Sequence, residues 1–156
     1  MTTKIAAIAS FGLLLAACQP PGDAGSATPG GTAGAVIPDP ESTEPYAGIG
    51  EREVVRLVGT EPFWGGQVAG TSLTYTTPED PDGRAIAVER FAGRGGVSFS
   101  GALDGAALEL TVTALACSDG MSDRSYPFTV TLKLGDDVRN GCGWSERQPF
   151  EGPEHP

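Results

Sequence analysis

Tyr126-Pro127-Phe128-Thr129-Val130-Thr131-Leu132-Lys133-Leu134 sets a large apolar side chain at every second position, with Pro, Thr, Thr and Lys between them. A repeat of two sends alternate side chains to opposite faces of an extended chain, whereas a helical face needs a repeat near 3.6. The stretch therefore reads as a strand with one buried face. Leu108, Leu110, Val112 and Ala114 alternate with Glu109, Thr111 and Thr113 in the same way. Shorter versions occur at Leu73 and Tyr75, Ile86 and Val88, and Val97 and Phe99. Turn chemistry separates these runs at Asp82-Gly83, Asp104-Gly105, Gly135-Asp136-Asp137 and Asn140-Gly141, with Asp104-Gly105 the strongest hairpin signal. No window sustains a helical period. The expectation is an all-β domain over residues 51–152, a small antiparallel meander of about six to eight strands that closes as a barrel or packs as a sandwich. Closure would remove the unpaired edges that a sheet this small otherwise presents.

Upstream of the domain the composition changes. Between Gln19 and Gly50 prolines and glycines dominate, four acidic residues appear without any Lys or Arg, and large apolar side chains are scarce. Such a stretch buries too little to offset the entropy of ordering. Residues 18–50 are therefore expected to be a disordered tether reaching about 30 Å, with 153–156 a flexible tail. Before the tether, Lys4 precedes an apolar run from Ile5 to Ala17, and Leu15-Ala16-Ala17-Cys18 resembles the lipobox of bacterial lipoproteins. That resemblance implies a signal peptide over 1–17 and lipidation of Cys18 as the mature N-terminus. The run stops well short of the ~20 apolar residues that a spanning helix requires.

The sequence carries 20 acidic against 10 basic residues, a formal net charge of −10, and loses Lys4 with the leader. This acidity disfavours nucleic acid and leaves membrane attachment to acyl chains rather than to a basic patch. A charged partner would be a cationic protein; the acidity serves equally to keep an exported domain soluble. With Cys18 assigned to lipid, Cys117 and Cys142 form an even pair in an oxidising compartment and are expected to be a disulfide. The bridge would close a loop of 26 residues, counting both cysteines, a constraint of about 3.5 kcal/mol in the chain-entropy account. Pairing Leu134 with Val138 places Cys142 opposite Val130, several residues from the level of Cys117, so a bulge at Asn140-Gly141 or barrel shear is needed to join them.

Two stretches carry a family likeness. Gly59-Thr60-Glu61-Pro62-Phe63-Trp64 with Thr77-Pro78-Glu79, and Cys117-Ser118-Asp119-Gly120-Met121-Ser122-Asp123-Arg124 with Tyr126-Pro127-Phe128 and Gly141-Cys142-Gly143, resemble a family of small, largely uncharacterised proteobacterial lipoproteins. The resemblance implies a β-rich exported domain and no particular reaction.

Candidate binding residues fall in the same stretches. Asp119, Ser122, Asp123 and Arg124 crowd one loop, where Arg124 with a serine hydroxyl suits a carboxylate or peptide group. The same residues also suit a structured turn, with Arg124 pairing Asp119 or Glu61. Glu61 stands beside Phe63 and Trp64, and these aromatics either line a pocket or fill the core. Catalytic residues are not expected. His155, the single histidine, lies at the extreme C-terminus, leaving triads and histidine-based zinc sites without a base or ligand. Glu79-Asp80-Pro81-Asp82-Gly83 lacks the rest of a calcium loop and reads as a solvated turn; no metal or cofactor is expected. The preferred function is a non-enzymatic binding or structural role toward a ligand or envelope component in a lipid-anchored periplasmic protein, and by analogy with bacterial lipoproteins Gln19 after the lipidated cysteine implies the outer membrane. The alternatives are a lysozyme inhibitor of the small β-barrel lipoprotein type, since such lysozymes are cationic, and an envelope hydrolase using Glu61 and Asp119.

Overall fold

The computed structural model describes residues 37–153. The leader, Cys18 and the tether up to residue 36 lie outside the described residues, as do residues 154–156. Eight strands follow one another as β1 (Val55–Thr60), β2 (Phe63–Ala69), β3 (Ser72–Thr77), β4 (Asp80–Ala92), β5 (Gly96–Leu103), β6 (Ala106–Thr113), β7 (Phe128–Leu134) and β8 (Asp137–Ser145). Each pairs antiparallel with its sequence neighbour, and β8 returns to β1, so the meander closes into a barrel.

Alternation sorts the side chains as the sequence requires. Phe128, Val130 and Leu132 of β7 and Leu108, Leu110 and Val112 of β6 are at most 2% exposed. Leu73, Ile86, Val88, Val97 and Phe99 join them in one core. The walls of β1, β2 and β8 instead use glycine at several inward positions. A Cβ on Gly59 would lie 1.8 Å from Trp64 Nε1, and one on Gly141 would lie 3.0 Å from Trp64 Cζ2 and 2.3 Å from the Val58 carbonyl. These missing side chains make the space that the indole fills.

Five strand connections are two-residue turns, at Glu61-Pro62, Gly70-Thr71, Pro78-Glu79, Asp104-Gly105 and Gly135-Asp136. Asp104 and Gly105 both have positive φ, at 51° and 84°, as the primed turn that matches strand twist demands. At Gly135-Asp136 and Gly70-Thr71 only the first, glycine, residue has positive φ. The expected turn at Asp82-Gly83 is not one. The chain reverses earlier, where Thr77 pairs with Asp80, and Gly83 sits in a bulge of β4 between Asp80 and Arg84. Asn140-Gly141 is likewise uninterrupted strand, Asn140 opposite Thr131 and Gly141 opposite Val130.

That pairing corrects the register. Leu134 faces Asp137, so Cys142 lies opposite Thr129 rather than Val130, without a bulge. Cys142 projects outward at 1% exposure, covered by the chain that connects β6 to β7. This connection folds back over the outer wall, bridges Cys117 to Tyr126, and brings Cys117 to a Cα–Cα separation of 5.6 Å from Cys142 in a disulfide.

The domain also begins before residue 51. Tyr46 and Ile49 are 6% and 2% exposed and close the end of the barrel opposite the β1–β2 turn. Tyr46 N donates to Gly93 O at 2.7 Å, Arg90 Nη2 to Ile49 O at 2.8 Å and Gln148 Nε2 to Gly48 O at 2.9 Å. The tether expectation therefore fails for Tyr46–Gly50, because two apolar anchors and three hydrogen bonds to its backbone groups, two of them from the Arg90 and Gln148 side chains, compensate the ordering that the surrounding composition disfavours.

Candidate functional site at the barrel mouth

The other end of the barrel, formed by the β1–β2, β3–β4 and β7–β8 turns, opens into a cleft of about 990 Å³. Its walls are Thr60, Glu61, Pro62 and Phe63 from the first turn, Tyr75, Thr77, Pro78 and Glu79 from the second, Leu134 and Arg139 from the last hairpin, and Met121 from the β6–β7 connection. Phe63 and Met121 are exposed at 55% and 67%, unusual for apolar side chains that sit together at an opening. Arg139 occupies an inward position of β8, opposite the buried Leu132. Its Nη1 donates to the Tyr75 hydroxyl, and its guanidinium lies 5.9 Å from the Tyr75 ring centre. The two ion pairs among the described residues join Arg84 to Asp104 and Arg147 to Glu53, neither involving Arg139. A half-buried cation thus stands in the cleft with a neutral hydroxyl for company.

Glu61, on the exposed turn, borders this cleft and also a smaller depression of about 450 Å³ shared with Asp119, Gly120, Met121 and Asn140. Trp64 lies behind the cleft wall, 4% exposed, with its ring centre 6.2 Å from that of Tyr75 and its Nε1 donating to Asn140 O at 3.2 Å. Trp64 is a core residue that supports Tyr75.

The loop candidates behave differently. Asp119 Oδ1 accepts from the backbone of Met121 at 3.0 Å and of Ser122 at 2.9 Å, while Oδ2 accepts from the Ser122 hydroxyl at 2.8 Å and the Tyr126 hydroxyl at 3.1 Å. Desolvation works against the charge, but these four hydrogen bonds outweigh it and hold the carboxyl well below the usual range, at about 2. Ser122 Oγ in turn accepts from Arg124 N at 3.3 Å. Asp119 and Ser122 are therefore the staples of a turn. Asp123 is exposed beside them. Arg124 lies with its guanidinium 4.5 Å over the Phe150 ring and its Nε donating to Pro153 O at 2.8 Å. It takes no ion pair with Asp119 or Glu61, the two acids expected as its partners. Phe150, Tyr126 and Trp144 form an aromatic group with ring centres 5.5 to 5.7 Å apart, a second, smaller packing cluster on the outer wall.

Of the residues weighed from sequence as binding or pocket residues, Glu61 and Phe63 line the large cleft. Tyr75, Met121 and Arg139 were missed as site residues. Arg139 was detectable in principle, because correct pairing across Gly135-Asp136 places it on the same inward set as Gly141 and Gly143. Asp80 and Asp82, weighed as calcium ligands, belong to β4, and among the described residues no cluster of three or more acidic, His or Cys side chains is arranged to hold a metal ion. No protein-family model, curated protein or solved structure matches this chain.

Proposed function

We propose that the protein is a lipid-anchored, non-enzymatic binding module of the periplasmic face of the outer membrane, and that it takes its ligand at the barrel mouth. The carrying observation is the cleft itself: about 990 Å³ of concavity with exposed Phe63 and Met121 on its walls and Arg139 within it, while Tyr46 and Ile49 fill the opposite end. Small-molecule sites favour barrel mouths, apolar walls and a few polar groups that fix orientation. Cys18, as a lipidated N-terminus, would hold the module at the membrane.

The neutral fluorophore N-phenyl-1-naphthylamine tests the mouth without reference to charge. Its emission should rise on saturable binding to the exported chain produced with Cys18→Ser, and the double variant Phe63→Asp, Met121→Asp should abolish the rise. Both substitutions fall on exposed side chains, so the near-ultraviolet circular dichroism should persist. No enhancement, or equal enhancement in the double variant, would remove the mouth as the binding site.

A further inference from the structure

The proposed binding reading says nothing of ligand chemistry; from the same cleft, and resting on that reading, we infer that the ligand is an aliphatic monocarboxylate, its carboxylate seated on Arg139 and its chain laid along Phe63, Met121 and Leu134. Three features of the site select this class.

The first is the arginine. A guanidinium offers five donors in a planar fork that matches a carboxylate. Nη1 of Arg139 is directed to the Tyr75 hydroxyl, and no carboxylate of the described residues pairs with it. Burying part of a cation without a counter-charge is costly, and an incoming anion removes that cost. Tyr75 holds the head group in place by hydrogen bond and ring face together.

The second is the rim. Glu61 and Glu79 stand exposed at the mouth, within a protein of net charge −10. One negative charge neutralised by Arg139 is accommodated there. A second, as on a phosphate monoester, meets both glutamates uncompensated.

The third is the closed sheet. A peptide ending in a carboxylate needs partners for its own backbone N–H and C=O groups, and extended peptides usually find them on a free strand edge. Here every strand is paired on both sides, and the cleft walls supply Pro62, Pro78, Phe63, Met121 and Leu134 instead. An alkyl chain asks for no such partners.

Isothermal titration of the Cys18→Ser chain with decanoate, 1-decanol and decylammonium separates head group from tail. Decanoate should bind at least about tenfold more tightly than decanol, the difference one charge-assisted hydrogen-bonded pair makes, and decylammonium should not bind. Arg139→Gln should bring decanoate down to the affinity of decanol and leave decanol unchanged, so decanol reports that the variant still folds. Equal affinities for decanoate and decanol in the parent chain, or a preference that survives Arg139→Gln, would overturn the inference. If N-phenyl-1-naphthylamine binds and decanoate does not, the mouth stands and the ligand class falls; if neither binds, both fall.

Discussion

At the scale of single residues, Asp119 is the clearest case of a side chain whose role is set by its partners. Four donors converge on its carboxylate, so Asp119→Asn should destabilise the domain by about 1–3 kcal/mol, one oxygen having become a donor facing donors. Chemical denaturation at pH 7 measures the loss. The acid dependence has a definite sign. Because the folded-state value lies below the unfolded one, ionised Asp119 favours the native state fully above the ordinary 3.8, and this contribution disappears as pH falls towards about 2. Solvent screening at this half-buried site reduces it to about 1–2 kcal/mol. Denaturation midpoints should therefore drop more steeply between pH 4 and pH 2 in the parent than in Asp119→Asn; parallel profiles would contradict the assignment. Gly59 makes the complementary point about space. A methyl group there collides with the Trp64 indole, and Gly59→Ala should cost about 1–3 kcal/mol through overpacking, with a shifted Trp64 emission.

At the scale of elements, β6 and β7 were legible because their alternation is uninterrupted, and the Asp104-Gly105 hairpin because its two residues tolerate positive φ. The first two strands were harder to see. Inward positions of β1 and β2 alternate Val55, Leu57, Gly59 and Trp64, Gly66, Val68, and glycine erases the apolar signal where the core needs a hole rather than a side chain. The register of β8 was misread by one residue, since Gly135-Asp136-Asp137 permits a longer loop as readily as the two-residue turn it forms. That slip hid Arg139, because a one-residue shift exchanges the two faces of a strand. Composition also misjudged Tyr46–Gly50, whose two apolar anchors are diluted among prolines and glycines. A chain beginning at residue 51 should consequently melt at lower temperature than one beginning at residue 37, by the loss of Ile49 alone about 2–4 kcal/mol. Equal melting temperatures would return this segment to the tether.

At the scale of the whole molecule, a closed eight-stranded barrel has room inside for its own side chains or for one small ligand. This chain divides the interior between the two uses: Tyr46, Ile49 and the aliphatic layers fill one part, and Tyr75 with Arg139 borders the open remainder. The crowded loop that looked most like a site in the sequence is bound to the wall by a disulfide and by its own hydrogen bonds, and it contributes Met121 to the cleft edge. Membrane attachment through Cys18 predicts that palmitate labels the native chain and not Cys18→Ser, and that globomycin blocks maturation; unlabelled, globomycin-insensitive protein would contradict it. The most direct test of the mouth as the functional surface is a ¹⁵N nuclear magnetic resonance titration of the exported chain with decanoate. Saturable shifts should concentrate at the Arg139 Nε–H and the amides of Thr60, Phe63, Tyr75 and Met121, leaving the amides of Tyr46, Ile49 and Gln148 at the closed end unmoved. Shifts centred on Asp123, Arg124 and Phe150, or none at saturating decanoate, would contradict the account.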